Sequence, residues 1–323
     1  MVFAAIGAAN HAIGLIYDRN GFAGAPRLRN EQLYAEDGFS MNADEGARPV
    51  DLASETSDAI ARFLASVALA AGPAVMEEYR GGAAARAKKD GSPVTAADER
   101  AEAIIRDRLS RLATPIPIVA EEATAAGQAI EIAERFILVD PLDGTREFVA
   151  RNGEFTINVA LVARGVPIAG AVYAPALERL WFGGRTAHAC RAPVGAELPD
   201  AASWRILHAR PAPEALVALA SRSHGDPATE AFLERLPVGE RRSAGSSLKF
   251  CVIAEGEGDV YPRFAPTMEW DTAAGDAVLR AAGGVVLAVE GGPLVYGKVA
   301  AGLRNGGFVA WGDPSLAARV ADR

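Results

Sequence analysis

The sequence predicts an α/β protein in which a lobe of helices and antiparallel strands packs on a smaller α/β lobe. Residues 51–80 show the apolar spacing of a helix, and residues 155–184 alternate apolar and polar side chains around turns. After about residue 195, strand-like and helix-like pieces alternate. We therefore expect three parts, namely a poorly ordered extension (1–50), an N-terminal lobe (51–195) and a C-terminal lobe (196–323).

Composition and charge argue against several classes of protein. The 323 residues carry a formal net charge of −8, which disfavours a nucleic acid polymer as partner because its phosphates need a basic face. A small phosphorylated ligand, held by a few local cations, stays open. Two cysteines, Cys190 and Cys251, are too few for a disulfide framework or a Cys-rich zinc site, and we expect both to be buried.

The first fifty residues give no targeting signal. Their start is weakly apolar, but no basic stretch precedes it, so we do not predict a signal peptide. The chain also lacks a run of about 18 uncharged apolar residues, which a membrane span needs. The expected location is the cytoplasm, and residues 1–50 are either an extension or the result of a wrongly assigned start codon.

Two helices are predicted near the start of the N-terminal lobe. The stretch "DLASETSDAIARFLASVALAAGPAVMEEYR" has helical spacing after Ser and Asp capping candidates, and Pro73 is expected to kink or split this helix. The stretch "DGSPVTAADERAEAIIRDRLSRLA" predicts a turn and a second helix, in which Thr95 and Asp98 have the spacing of a capping box.

Two strands of this lobe are predicted to end in acids. "IPIVAEE" is interpreted as a short strand that ends in Glu121 and Glu122, and "RFILVD" as a buried strand that ends at Asp140, where Pro141 turns the chain. Ligands tend to bind at the carboxyl ends of strands in open α/β sheets. We therefore expect Asp140 and Asp143 to converge at such an end.

The residues around this turn are suited to a metal ion. Two carboxylates and the Leu142 carbonyl are hard oxygen ligands, which favour Mg²⁺ or Mn²⁺ over zinc in a chain without a Cys/His cluster. Gly144 permits close approach of the backbone, and Thr145 places a hydroxyl before a short helix whose amides suit a phosphate oxygen. The alternative is a turn in which the aspartates only accept local hydrogen bonds.

Further acids lie at similar positions elsewhere in the chain. Asp90 and Asp98 bracket "GSPVTAA", and Asp271 follows Trp270 where a helix of small residues begins. Each has an ordinary alternative, because Asp98 fits a capping box, Asp271 fits an N-cap and Glu122 could be solvated. Their common placement at strand ends and helix starts predicts one shared basin of carboxylates.

These segments together resemble the inositol monophosphatase superfamily of Mg²⁺-dependent, lithium-sensitive phosphatases. The D-P-x-D-G-T segment, the upstream Glu pair and the W-D-x-x-A-G segment occur in the family's order, and the resemblance covers about residues 55 to 312. It implies a layered αβαβα sandwich. Within the superfamily, "DGSPVTAAD", "DGTREFVARNGEFTINVAL", "GSSLKFC" and "YPRFAPTMEWDTAAG" most resemble the CysQ-type 3'(2'),5'-bisphosphate nucleotidases.

The resemblance implies an activity and a cofactor. Such enzymes remove the 3'-phosphate of 3'-phosphoadenosine 5'-phosphate to give AMP, some also accept the 5'-phosphosulfate precursor, and they thereby clear a by-product of sulfate assimilation. Two or more Mg²⁺ ions per active site are implied. Some members are found at the cytoplasmic face of the inner membrane, so peripheral membrane association stays open, as does the oligomeric state.

The resemblance also implies roles for individual residues. One Mg²⁺ would be held by Glu121, Asp140 and the Leu142 carbonyl, and another by Asp140, Asp143 and Asp271. Asp90 and Thr145 would activate the attacking water, with Asp98 holding the threonine. The implied substrate contacts, all placed by the family's pattern, are Gly144, Thr145, His224, Ser246, Lys249, Arg263 and Asp271.

Two departures and several alternatives accompany these assignments. Arg146 stands where relatives often carry Lys, and Ala120 where Ser or Gly is usual. Without the resemblance, Lys249 would be interpreted as a solvated helix residue, His224 as a loop residue and Arg263 as a surface guanidinium. The rival functions are an inositol phosphate phosphatase on the same fold and a non-catalytic phosphate-binding regulator.

Overall fold

The helices and strands are taken from a computed structural model that describes residues 50–52, 55–82, 86–87, 93–221 and 226–321. Apart from residue 50, the predicted extension lies outside the described residues. Within these ranges the α-helices are α1 (Ser57–Gly81), α2 (Ala96–Ser110), α3 (Glu121–Ala125), α4 (Thr145–Val149), α5 (Pro227–Leu233), α6 (Leu248–Ala254), α7 (Ala273–Ala281) and α8 (Pro314–Ala321).

Strands run through both predicted lobes. Those of the first half are β1 (Arg86–Ala87), β2 (Pro93–Val94), β3 (Ile118–Ala120), β4 (Arg135–Asp143), β5 (Thr156–Ala163), β6 (Val166–Ala174), β7 (Arg179–Gly183), β8 (Ala187–Arg191) and β9 (Arg205–Ile206). Those of the second half are β10 (Leu216–Ser221), β11 (Val238–Ala244), β12 (Val260–Arg263), β13 (Thr267–Met268), β14 (Val285–Ala288), β15 (Arg304–Asn305) and β16 (Phe308–Trp311).

Two large sheets organise the protein. A seven-stranded sheet follows the chain order from β3 to β9 and is antiparallel except for the parallel pair β3–β4, which agrees with the predicted antiparallel meander. A five-stranded mixed sheet has the order β11-β10-β12-β16-β14. The predicted boundary between the lobes at residues 195/196 stays a prediction, and β9 still belongs to the seven-stranded sheet.

The hydrophobic clusters arrange these sheets in five layers, in agreement with the implied αβαβα sandwich. Helices α1 and α2 pack on one face of the seven-stranded sheet, where alternate residues such as Ile137 and Val139 point. The opposite face, with Leu138, packs on α6 and α7, which also contact the five-stranded sheet. Helices α5 and α8 cover the outer face of that second sheet.

Helix α1 continues through Pro73 as one 25-residue helix, so the expected split is wrong. The Thr56 hydroxyl accepts a hydrogen bond from the Ala59 N–H, and Gly82 ends the helix in the left-handed conformation. Pro73 is exposed while the helix buries its other face, and this tertiary packing outweighs one missing backbone bond. By length and composition alone α1 could cross a membrane, but 67% of its most apolar window is buried inside the protein.

Two predicted strand ends need correction. Strand β3 ends at Ala120, so Glu121 and Glu122 begin helix α3 rather than end a strand. Strand β4 does not end at Asp140 but continues to Asp143, with an irregular register between the two aspartates. Because Pro141 has no N–H for the ladder, the chain bulges there and then resumes pairing.

Candidate active site

The bulge in β4 is the centre of the candidate site. Asp140 pairs with Asn158 of β5, and Asp143 pairs with Thr156, so two residues are left out of the ladder between them. The Leu142 N–H donates to Asp140 Oδ1 at 3.0 Å, which holds the bulge in shape. A bulge re-aims side chains at a sheet edge, and here it brings both aspartates to one site.

Four acids are brought within electrostatic reach of one another. Burial raises the pKa of the Asp140 carboxyl well above its ordinary value, and repulsion from Glu121, Asp143 and Asp271 raises it further. The pKa of Asp271 is also raised well above its ordinary value by burial and by repulsion from its acidic neighbours. The structure therefore brings together all four acids that the sequence predicts as metal ligands.

The donor atoms are chemically suited to Mg²⁺, although they do not form a finished cage. In the described ranges, no three His, Cys, Asp or Glu side chains form a group compact enough to hold a metal ion. The carboxylates and the Leu142 carbonyl are the hard oxygen donors that Mg²⁺ prefers, so the residues present fit this ion by chemistry.

Gly144 and Thr145 follow the bulge directly. Gly144 is the N-cap of α4 with a φ of 90°, and a Cβ there would lie 3.2 Å from both the Glu154 carbonyl oxygen and the Ser246 Cβ, so only glycine fits without strain. The Thr145 hydroxyl has two acceptors, the Leu142 carbonyl at 3.2 Å and Asp98 Oδ1 at 3.4 Å. Its lone pairs stay available to accept a hydrogen bond.

Asp98 belongs to the predicted capping box and reaches the site as well. Its Oδ2 accepts hydrogen bonds from the Thr95 N–H at 2.8 Å and from the Thr95 hydroxyl at 2.7 Å. The capping box at the start of α2 is therefore confirmed. Asp98 therefore caps α2 through Oδ2 and faces the Thr145 hydroxyl through Oδ1, while its role in catalysis stays a prediction.

The glutamate pair is fixed by a residue that the sequence analysis did not single out. Glu102 is buried on α2, and its two carboxylate oxygens accept hydrogen bonds from the N–H groups of Glu122 at 2.7 Å and Ala123 at 2.9 Å. These bonds cap α3 from a neighbouring helix and set the start of the helix at Glu121. The sequence signal that could have identified Glu102 is an acidic residue on the face of α2 that packs inward.

Asp271 lies in a turn before α7. The helix begins at Ala273 with Thr272 as its N-cap residue, so the alternative interpretation of Asp271 as an N-cap is wrong. Instead, Asp271 Oδ2 accepts a hydrogen bond from the Met268 N–H at 2.8 Å. The turn directs the carboxylate to the other acids, as its raised pKa reflects.

Two cations of the C-terminal half are buried close to the acids. Lys249 on α6 is 4% exposed, which rules out the alternative of a solvated lysine, and burial lowers its pKa to about 8. Arg263 at the end of β12 is 9% exposed, and its buried Nε has no hydrogen-bond partner among the described residues. Its positive charge offsets a small part of the rise in the pKa of Asp271, so the guanidinium lies within electrostatic reach of the carboxylates.

Ser247 and Asn158 are further site residues that the sequence analysis did not single out. The Ser247 N–H donates to Asp143 Oδ2 at 2.7 Å, and its hydroxyl lies 3.1 Å from the same oxygen. Asn158 is buried and donates to the Ser247 hydroxyl at 3.0 Å. The predicted contact Ser246 pairs its hydroxyl with that of Thr156 at 2.8 Å. Asp90 and His224 lie outside the described residues.

Both cysteines lie in the interior of the protein. Cys190 and Cys251 are both buried and unbonded, as expected from their number. Burial raises the pKa of the Cys190 thiol to about 11 and that of Cys251 well above its ordinary value, so both stay protonated. Neither thiol takes part in the site.

A comparison of the sequence with models of protein families finds one match. The model described as "Inositol monophosphatase family" matches residues 56–318. The chain therefore belongs to the inositol monophosphatase family, which agrees with the resemblance found in the sequence.

Within this family, the chain is similar to proteins named CysQ. It is 43% identical over 228 residues to the "3'(2'),5'-bisphosphate nucleotidase CysQ" of Shigella flexneri, covering 70% of this chain and 89% of that protein. A crystal structure of CysQ from Bacteroides thetaiotaomicron matches with a TM-score of 0.65 and 38% identity, covering 78% of this chain and 97% of the other. Mycobacterium tuberculosis SuhB shares the fold at 22% identity, with a TM-score of 0.60 and coverage of 83% and 96%.

Proposed function

We propose that the chain is a Mg²⁺-dependent 3'(2'),5'-bisphosphate nucleotidase that converts 3'-phosphoadenosine 5'-phosphate to AMP and phosphate. One observation carries this proposal, namely the buried Arg263 with its unpartnered Nε beside a cluster of acids. The acids suit a cation at the phosphate that is cleaved, and a guanidinium suits a second phosphate on the same substrate. The CysQ proteins named for this activity support it.

Five residues would hold the metal. They supply only oxygen donors, from Glu121, Asp140, Asp143, Asp271 and the Leu142 carbonyl. When bound, Mg²⁺ ions polarise the phosphate ester and stabilise the charge that develops on the leaving oxygen. Little covalent chemistry is then required of the protein.

The chain's own residues place the water and the phosphate. The Thr145 hydroxyl, directed to Asp98 and to the Leu142 carbonyl, keeps its lone pairs free to accept a hydrogen bond from the attacking water. Hydrolysis transfers the oxygen of this water to phosphorus and breaks the bond to the 3'-oxygen, which finally receives the proton that the water lost, by way of Asp90 and solvent. Asp90 is proposed as the acid that accepts the water's proton, and Gly144 gives the phosphate close access to the backbone.

The nucleotide would lie between the acids at the bulge of β4 and Arg263 at the end of β12. Arg263 is proposed to bind its 5'-phosphate, and His224 and Ser246 are proposed to contact the nucleoside. Ser246 is restrained by its bond to Thr156, which suits a fixed contact. The 5'-phosphosulfate precursor carries a similar anion at this end and is part of the proposed substrate class.

A comparison of two substrates tests the proposal. Phosphate release from 3'-phosphoadenosine 5'-phosphate and from inositol 1-phosphate is measured in parallel with Mg²⁺, with chelator and with added Li⁺. We expect Mg²⁺-dependent turnover with a strong preference for the nucleotide, and inhibition by Li⁺. Preference for the inositol ester would contradict the proposed pocket, and turnover that survives chelation would contradict the metal assignment.

A further inference from the structure

The last residue of β11 and the three residues that join it to α6, together called the 244–247 loop, reach the carboxylates from the C-terminal half and are tightly restrained. The Gly245 N–H donates to Glu154 Oε2 at 2.8 Å, and a Cβ on Gly245 would lie 2.6 Å from the Glu154 carbonyl oxygen. Ser246 adopts a φ of 47°, which non-glycine residues seldom do. The 244–247 loop is therefore held in one conformation against the seven-stranded sheet.

Ser247 directs its polar atoms to the acids and not to its own helix. It occupies the N-cap position of α6, where a serine hydroxyl usually accepts a hydrogen bond from the helix, yet this side chain makes no such bond. Its hydroxyl instead has Asp143 Oδ2 at 3.1 Å and the Asp271 carbonyl oxygen at 2.8 Å as acceptors. An unused N-cap costs about 1 kcal/mol, so this orientation points to a role outside the helix.

Hydrogen bonds to Asp143 are confined to one of its oxygens. Within the described part of the chain, Oδ2 receives the Ser247 N–H at 2.7 Å, the Ser247 hydroxyl and the Asn158 Nδ2 at 3.4 Å. Charge-assisted bonds of this kind fix the rotation of a carboxylate. Asp143 Oδ1 is thereby left for another partner. Ser247 also links Asp143 to the turn that carries Asp271.

Lys249 holds the same loop from within. Its Nζ donates to the Ala244 carbonyl at 3.1 Å and to the Ser246 carbonyl at 2.7 Å, on either side of Gly245. It also lies 5.0 Å from the centre of the Tyr261 ring. Two of the three ammonium protons are therefore engaged by the loop and the ring faces the same ammonium.

We propose that Lys249 and Ser247 are positioning residues for the metal site, where Lys249 fixes the 244–247 loop and Ser247 fixes the Asp143 carboxylate. This role is distinct from the direct nucleotide contact that the sequence predicts for Lys249. It rests on the proposed function, because it requires a metal ion at Asp143. Contacts to the ligands of a metal typically change its affinity by 10- to 100-fold.

Metal binding in the absence of nucleotide tests this role. Mg²⁺ binding to the metal-stripped full chain is measured by calorimetry, at a temperature where circular dichroism shows each variant to be folded. Ser247→Ala and Lys249→Met are each expected to weaken binding by about 10-fold or more. The double variant should bind about as weakly as the weaker single variant, since both changes act through one loop.

Whether Lys249→Met weakens or tightens Mg²⁺ binding distinguishes a positioning role of Lys249 from a purely electrostatic one. Loss of a buried positive charge near Asp143 would tighten the binding of a dication if the charge acted alone, whereas loss of the loop contacts weakens it. Arg164→Met is the control for charge loss, because it also removes one positive charge, yet Arg164 is exposed in the turn after β5 and pairs with Glu134. We expect it to bind Mg²⁺ as the wild type does.

Each outcome decides the inference. Unchanged or tighter Mg²⁺ binding in both Ser247→Ala and Lys249→Met would overturn the positioning role, and any loss of stability in these variants would then be structural only. The proposed function would not be affected by that result. A wild-type protein that binds no Mg²⁺ would overturn both. If Lys249→Met does not fold, Ser247→Ala decides alone, and wild-type affinity in that variant overturns the inference.

Discussion

The acidic and the basic parts of the site are both buried, yet they are held in different ways. Burial raises the pKa of Asp140, Asp143 and Asp271, and the nearby cations Lys249 and Arg263 offset this rise only in part. Lys249 is engaged by two carbonyls, whereas Arg263 has an unpartnered Nε. The comparison teaches that burial alone does not define a ligand-binding charge. The hydrogen-bond partners that a buried cation already has within the protein must be considered as well.

The largest expected effect is the loss of kcat when an acid of the site is substituted. Asp140→Asn and Asp143→Asn should each lower kcat by more than about 100-fold, beyond the usual effect of residues that only support metal ligands. Each variant should stay folded without metal, because the change removes a buried charge and its repulsion. Steady-state kinetics and circular dichroism measure the two results.

A surface acid provides the control for these variants. Asp107 on α2 is exposed and pairs with Arg111, so Asp107→Asn should keep wild-type activity. Near-normal turnover of both Asp140→Asn and Asp143→Asn at low Mg²⁺ would show that these aspartates are not needed for catalysis.

Metal addition should relieve the repulsion and thereby stabilise the fold. At a Mg²⁺ concentration of about 100 times Kd, ligand linkage adds about 2.7 kcal/mol to the free energy of unfolding. Thermal unfolding with and without chelator measures the shift, and NaCl at equal ionic strength controls for screening. A shift of equal size in Asp143→Asn would show that Mg²⁺ acts elsewhere.

The smallest effect is a pH dependence of the metal-free protein. Asp140 has a folded pKa above its unfolded value near 3.8, so its stabilising contribution is complete below that value and is lost as pH rises through the folded pKa. Relative to Asp140→Asn, the metal-free wild type should therefore gain stability as pH falls through the folded pKa of Asp140. Urea unfolding measures this difference, and a difference that is independent of pH would contradict the raised pKa.

Much of the fold could be predicted because local patterns determined it. The capping box at Thr95 and Asp98, the antiparallel meander and the acids near Asp140 all arise from short-range spacing. The extension of β4 to Asp143 could not be predicted, because a proline signals a turn and only pairing with β5 turns it into a bulge. The expected split at Pro73 was wrong for the same reason, since tertiary packing keeps α1 continuous.

The positions of the acids were predictable, but their supports were not. Glu102, Asn158 and Ser247 act through contacts between residues that are distant in the chain, such as the bond from Ser247 to Asp143. No periodicity or spacing marks a residue that supports another side chain from a different element. For the same reason, the sequence could not distinguish the engaged Lys249 from Arg263.

The central claim is that the acids perform the chemistry while Arg263 selects a substrate with a second phosphate. The most direct test is the ratio of kcat/KM for 3'-phosphoadenosine 5'-phosphate to that for adenosine 3'-phosphate, in the wild type and in Arg263→Lys. We predict a high ratio in the wild type and a roughly 10-fold lower ratio in the variant, because a lysine cannot replace the fork of a guanidinium, with turnover of the monophosphate unchanged. An equal ratio in both proteins would contradict the account.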